Sequence, residues 1–462
     1  MNASREITIR GGAALLLLLS LGGCASFSRD GGFEDVKQGV GKHLKQELIR
    51  EKSDSPTNAI SVRMKELLAQ PLSIDDAVQL ALFNNKDLQA RYASLGVAEA
   101  DLVQAGRLPN PRFSMLYARN NGDYKIEQAF TMNVFALVTM PKAKEMERQR
   151  FEQTKQAVSL GVIQLAQSVR RAWVNAVAAN QAVAYAAQVQ QSAQAAAELA
   201  RRMYQRGNWS KLDQAREQGF YADAALEYAR AREQQVSAHE QLARLLGLAD
   251  RSLFTLPAHL PDLPSSEASL AQVERNTFDL RLDLQAQRLE VEALARRLGL
   301  TRTTRFINVL ELGPARVLEG RRGDDYKNGV EIAFELPLFD SGNARVARAE
   351  AIYTEALNHT AQLVVDAQSE VRTAYNSYRV RYEIARHYRD EIVPLRHRIL
   401  QENQLRYNGM LVSAFDLLAD ARAQVNSVNQ YMAALRDFWL AEADLELATV
   451  GPVAQAVGKG KE

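Results

Sequence analysis

Apolar and small residues recur at steps of three and four along two very long stretches, about 142–206 and 342–406, and each is followed by a second such stretch, about 210–246 and 413–448. Leu411, Phe415, Leu418 and Val425 illustrate the spacing, which places one apolar stripe on a helix. None of the 12 prolines falls between Pro141 and Pro257, so nothing interrupts the first helix pair. At 1.5 Å per residue, a run of about 64 residues spans roughly 95 Å, too long for a compact globular domain. Two shorter regions change period from near four to two. RFSMLYAR, the turn NNGD and KIEQAFTMNVFALV form the first, and RFINVLELG, a polar loop through GRRGDD and NGVEIAFEL form the second. Phe113, Met115 and Tyr117 alternate with Ser114 and Ala118, and Val330, Ile332 and Phe334 alternate with Glu331, Ala333 and Glu335. That pattern predicts two β-hairpins, about 111–138 and 305–337, each with one apolar and one polar face.

The same parts occur twice in the same order. KDLQAR around Asp87 returns as LDLQAQ around Asp283, and Pro141 maps onto Pro337, both at an offset of 196. Further on, Tyr204, Ser210 and Asp213 map onto Tyr407, Ser413 and Asp416 at an offset of 203, so the second copy has gained seven residues between the markers. Each copy opens with a shorter helix pair, the first capped by Ser73 with Asp76. The repeats are thus 71–249 and 267–451, joined by a proline-bearing linker at 250–266 and followed by a tail at 452–462. Residues 24–70 form an N-terminal segment without a counterpart, and its stretch from 33 to 70 is charged and helix-prone.

Composition adds constraints. Apolar residues make up 47% and charged residues 24%, with a formal balance of +2, which gives no reason to expect nucleic acid. Arg5 and Arg10 precede a short apolar run, so residues 1–23 read as a signal peptide. The run ends in LGGC, which resembles the lipobox of bacterial lipoproteins and marks Cys24 for a covalent lipid such as palmitate. A plain signal peptide with a chance cysteine is the alternative. Ala and Ser follow Cys24, with no aspartate to retain the product at the inner membrane, so outer-membrane sorting is expected. Cys24 is the sole cysteine, so neither an internal disulfide nor a thiolate metal site can form. The six histidines have no ligand spacing, no nucleotide loop or nucleophile motif occurs, and the Asp324 and Asp325 pair reads as a solvated loop. No enzyme, metal or cofactor is expected.

Four strands cannot enclose a water-filled lumen, and within hydrocarbon every strand edge must be paired, so other copies of the chain must complete the sheet. With the duplicated layout, the corner PLFDSGNARVA at 337–347 and YNGMLVSAFDLL at 407–418, the chain resembles the TolC-like outer-membrane efflux proteins from LSIDDAVQLAL to ELATVG. TMPKAKEMERQR departs from the family pattern after the first hairpin. The resemblance implies a mainly α fold with a small β part, and a homotrimer sharing a twelve-stranded barrel above a helical periplasmic tunnel. It implies an exit duct for a tripartite efflux pump or type I secretion system, with a periplasmic adaptor and an inner-membrane transporter as partners and an outer-membrane location. A periplasmic adaptor or structural coiled-coil lipoprotein is the alternative, disfavoured by the two amphipathic hairpins. The cargo is not legible.

Helix-to-helix turns join the long helices at YQRGNWSKLD and YNGMLVSAFD. Gly207 and Gly409 are expected to take positive φ, and Ser210 and Ser413 to cap the returning helices, with Asp213 and Asp416 completing capping boxes. Capping alone suffices to explain Ser210, Ser413 and Asp213. By resemblance, the turns form the periplasmic mouth, where Tyr407 and Asp416 match the tyrosine and first acidic position of a gate, beside the mirrored Tyr204. The gate arginine position falls on Val412 and its second acid on Ala419, next to Asp420, so the full network is not matched. Pro394 should kink its helix. Trp173 and Trp439 are expected to pack, and Trp209 lies at the first turn.

Overall fold

The structure is a computed structural model that describes residues 26–50, 57–265, 281–306, 309–321 and 323–452. The proposed signal peptide, Cys24, the first helix of the second copy's opening pair and most of the tail lie outside the described residues. The helices are α1 (Phe33–Gly41), α2 (Thr57–Leu68), α3 (Ile74–Asn84), α4 (Lys86–Ala105), α5 (Val134–Gln205), α6 (Lys211–Leu246), α7 (Leu282–Thr304), α8 (Asn343–His387), α9 (Val393–Asn408) and α10 (Ala414–Val450). Between α4 and α5 lie β1 (Arg112–Asn120) and β2 (Asp123–Asn133), and between α7 and α8 lie β3 (Leu310–Gly320) and β4 (Lys327–Phe334). No described helix is long and apolar enough to cross a membrane.

The chain divides into two compact units. One contains the described residues up to Val36, with Tyr92–Ala157 and Leu284–Leu363. Its four strands form one antiparallel sheet in the order β1-β2-β3-β4. Asn120 pairs with Asp123, leaving Asn121 and Gly122 as a two-residue loop with φ of 49° and 100°. Both must be positive for a turn that follows the strand twist, which is why Asn-Gly serves there. Both hairpins are shorter than their sequence patterns. VFALV continues the apolar run after β2, but the Asn133 side chain accepts from the Ala136 amide at 2.8 Å and starts α5 at Val134. Pro141 therefore lies inside the helix, where it cannot donate to the Leu137 carbonyl. In the second copy, α7 runs to Thr304, and Thr301, Thr303 and Thr304 turn their hydroxyls back onto the helix carbonyls four residues earlier at 2.8–2.9 Å. Arg305 and Phe306, where the strand was expected to begin, form the turn after this helix, and β3 begins at Leu310.

In this unit, ion pairs tie neighbouring helices: Arg296 to Glu145 at 2.6 Å and Arg302 to Glu350 at 2.6 Å. Lys155 meets Asp35 at 2.7 Å and Glu152 at 2.6 Å.

The second unit contains Lys37–Arg91, Val158–Asp283 and the chain from Val364 onward. Its core includes Leu72, Leu80, Leu82, Ile163, Trp173, Leu242, Leu246 and Phe438, all buried. The Trp173 indole donates to the Leu72 carbonyl at 2.8 Å, as a buried N–H requires. Asn84 and Asn85 donate to the carbonyls of Gly247, Leu246 and Leu245 at 2.7–3.0 Å, closing the C-terminus of α6. From residue 37 onward the segment without a counterpart buries Val40, Leu44 and Leu48 and exchanges hydrogen bonds with Gln79, so it lines the helices of this unit. The proline-bearing linker is a strap. Its carbonyls at Pro261, Leu263 and Pro264 accept from Trp439, Arg389 and Tyr382. Arg281 is buried between Asp283 at 2.6 Å and Glu370 at 2.9 Å, where three compensating acceptors, counting the Ala448 carbonyl, hold an otherwise costly charge.

Pro394 does disturb its helix, and the form is specific. Tyr388–Ile392 is a π turn in which the Val393 amide bonds the Tyr388 carbonyl five residues back. The wider turn accommodates the missing donor and the ring of Pro394.

Candidate functional site

Two regions bear on function, one in each unit. In the sheet, the register decides which side chains share a face. Phe113 stands opposite Phe130, Met115 opposite Gln128 and Tyr117 opposite Ile126. Ile126 pairs with Leu318 and Met132 with Leu312, and across the next ladder Leu312 pairs with Ile332 and Leu310 with Phe334. The apolar sets read from the two hairpins therefore share one face, which a polar row of Gln128, Arg316 and Asn328 crosses. Phe113, Met115, Tyr117, Val330, Ile332 and Phe334 on it are each at least 56% exposed, so in a single copy this face is uncovered. The opposite face carries Lys125 paired with Glu127 at 2.9 Å, Arg112 paired with Glu311 at 3.3 Å, and Glu319 and Glu331.

Close to the hairpin tip, Tyr117 packs against Tyr124 with centroids 6.2 Å apart, and Arg316 lies over Tyr326 at 4.7 Å. At the opposite end stand Phe113, Phe130 and Phe334. Aromatic rings thus stand at both ends of this face, with Met115, Gln128, Arg316 and Asn328 in a row between them. β1 and β4 each have one strand partner, so both outer edges offer unpaired backbone groups.

The second region is the pair of helical turns, and the two are built alike. Ser210 accepts from the Asp213 amide at 3.1 Å, and the Asp213 carboxylate accepts from the Ser210 hydroxyl at 2.6 Å and its amide at 3.3 Å. Ser413 and Asp416 repeat this at 3.2, 2.7 and 3.2 Å. Before each cap, the helix ends in a left-handed residue. Gly207 has φ 77°, with its amide bonded to the Tyr204 carbonyl at 2.9 Å and the Asn208 amide to Met203 at 2.9 Å.

In the second turn the expected residue is not the one that turns. Gly409 has φ −82°, and Met410 takes the left-handed conformation at φ 59°. Its amide bonds Tyr407 and the Leu411 amide bonds Arg406, each at 2.9 Å. The offset of 203 that joins Tyr204 to Tyr407 carries Gly207 onto Met410, so the geometry follows the repeat, while the glycine lies one residue early.

Tyr204 and Tyr407 are each about two-fifths exposed, and among the described residues neither hydroxyl is hydrogen-bonded to Asp213 or Asp416. Asp420 accepts a short hydrogen bond from Asn403. What does join the two turns was not legible in the motifs. The Arg216 guanidinium lies 5.2 Å from the Phe415 ring centroid. Deeper in, Arg422 pairs closely with the buried Glu217 and lies over Phe220 at 4.7 Å. The repeat offset is a usable signal here, since it carries Glu217 onto Asp420, yet the two acids find different partners.

No protein-family model matches the chain. Over 301 residues it is 27% identical to the cobalt-zinc-cadmium resistance protein CzcC of Cupriavidus metallidurans, covering 64% of this chain and 70% of that protein. The solved structure of CusC, from a study of its transmembrane channel formation, superposes with a TM-score of 0.67 at 17% identity, covering 82% of this chain and 92% of that one. For the Campylobacter jejuni outer-membrane channel CmeC the TM-score is 0.68 at 16% identity, with 92% of each chain covered. The chain has the TolC-like outer-membrane channel fold. The open-state MtrE channel of Neisseria gonorrhoeae shares the TolC-like fold at a TM-score of 0.67 and 16% identity, covering 88% of this chain and 95% of that one. The two-faced sheet and the doubled helix turns are thus elements of this fold, laid out twice in one chain.

Proposed function

We propose that the chain is the passive outer-membrane exit duct of a tripartite efflux pump, with type I secretion as the related use of the same duct. The carrying observation is the four-stranded sheet with one mainly apolar, exposed face, one charged face and two open edges. Three copies pairing β4 of one with β1 of the next close twelve strands, with the apolar face toward lipid and the charged face lining water. The duct performs no covalent chemistry. Solute is driven by an inner-membrane transporter reached through a periplasmic adaptor that meets the helical turns. The likeness to CzcC favours heavy-metal cations as the cargo. An adaptor or coiled-coil lipoprotein has no use for a sheet of this kind.

Cys24 carries the lipid that fixes the mature chain to the outer membrane. Planar-bilayer conductance of the purified protein tests the duct. Stepwise single-channel currents are expected, and a well-folded oligomer that passes no current defeats the reading. Gating is assigned to Tyr407 and Asp416 acting on a neighbouring copy, supported by the part-exposed Tyr407 side chain and the exposed turn. Asp416→Asn is expected to raise resting conductance several-fold; unchanged conductance together with an unchanged antibiotic sensitivity would leave Asp416 as a cap alone.

A further inference from the structure

At the foot of the sheet, α7 ends six residues before β3 begins, and α8 begins nine residues after β4 ends. Between α7 and the start of α8 lies a pocket of about 340 Å³. Four of its lining residues are arginines, Arg297, Arg305, Arg345 and Arg348, accompanied by Thr301 and Thr304, and none of the lining residues is acidic. The neighbouring Arg302 lies outside the pocket and is paired with Glu350 at 2.6 Å. Four arginine side chains lining one small space bring like charge together, and an anion there offsets it.

The pocket is shaped by the backbone. Gly342 has φ 75°, and a Cβ at that position would approach the Arg305 carbonyl to 2.4 Å, so the corner before α8 lies hard against the end of α7. Arg345 donates to the same Arg305 carbonyl at 3.0 Å, and the Arg305 guanidinium rests on the Phe306 ring at 4.3 Å. Arg345 and Arg348 belong to the first turns of α8, where the helix terminus adds positive potential. Planar forked donors of this kind match the tetrahedral oxygens of phosphate better than a point charge would. The segments leading from α7 and into α8 carry exposed apolar side chains: Phe306, Leu336, Leu338 and a fully exposed Phe339. That pairing of arginine with apolar surface suits the level at which hydrocarbon gives way to headgroups.

We propose that this pocket binds a phosphate oxyanion, carried by an anionic phospholipid headgroup or present as free phosphate. The lipid source rests on the membrane placement proposed above; the phosphate chemistry does not. The test uses the full-length protein in nanodiscs, in wild-type form and as the Arg297→Gln, Arg348→Gln double variant, with Arg302→Gln as a control. Lipid retention is read by native mass spectrometry from mixed phosphatidylglycerol and phosphatidylcholine, and inorganic phosphate is titrated by calorimetry in phosphatidylcholine alone.

Selective retention of phosphatidylglycerol, weakened roughly tenfold or more in the double variant and unchanged in Arg302→Gln, supports a headgroup site. Phosphate binding lost in the double variant without lipid selectivity supports the same pocket with a free ligand. Neither lipid selectivity nor phosphate binding in wild type, or equal behaviour of wild type and double variant, overturns the proposal. Conductance of the double variant reports folding independently. A wild-type protein that binds phosphate but conducts nothing defeats the duct reading and leaves the pocket standing.

Discussion

Met410 occupies a conformation in which a side chain pays a steric cost of about 1 kcal/mol that glycine does not. The side chain is almost wholly exposed and recovers little of this by packing. Because glycine also loosens the unfolded chain, Met410→Gly is expected to stabilise by about 0.5 kcal/mol or less, seen as a slightly higher denaturant midpoint with an unchanged slope. Glu442 is strained electrostatically. Burial, with the Glu446 charge adding to it and Arg170 opposing, pushes its carboxyl up to about 7. Because the folded form then holds a proton that the unfolded chain has released, this group favours folding below pH ~4.5, and the benefit is lost as pH rises towards 7. Glu442→Gln is expected to raise stability at pH 8, on the order of 1–2 kcal/mol after allowance for partial exposure, and to change little near pH 4.5. Urea unfolding at the two pH values checks both arms.

Among the elements, the β2–β3 ladder has one point with no slack. Pairing runs from Tyr124 with Gly320 to Ala129 with Ala315, lapses, and resumes at Met132 with Leu312. In the lapse, Pro314 has no amide to give, and a Cβ on Gly313 would stand 1.9 Å from the Phe130 carbonyl oxygen. Gly313→Ala must push the two backbones apart, with an expected loss of about 2–3 kcal/mol and fewer heat-resistant oligomers on gels. The sequence showed the alternation in β1 and β4 and the caps at Ser210 and Ser413, because those patterns are local and periodic. It hid what depends on partners far along the chain. VFALV continued a strand's hydrophobicity and became helix through the Asn133 cap, while the strand expected from Arg305 begins only at Leu310. Gly409 drew attention as the nearest glycine, yet the turn geometry belongs to Met410. Glu217 with Arg422, and the four pocket arginines, come together only when distant helices pack.

For the molecule as a whole, the apolar face of the sheet and the helical unit make separable demands. Ile332→Lys puts a charge on that face while leaving every helix contact in the other unit unchanged. Insertion is expected to weaken by about 2–4 kcal/mol if the position lies near the bilayer midplane, with helical circular dichroism retained and the membrane-assembled fraction reduced. Equal loss of helical signal would tie the two units more closely than their separate cores suggest. The open edges of β1 and β4 also bear on the chain's life before it reaches its destination. Strand edges beside a bare apolar surface are an invitation to wrong pairing, whereas the helices, rich in contacts close in sequence, can form early. A newly made copy is thus expected to travel with its rods formed and its sheet unfinished, and to need an escort that shields four strands until their edges are paired.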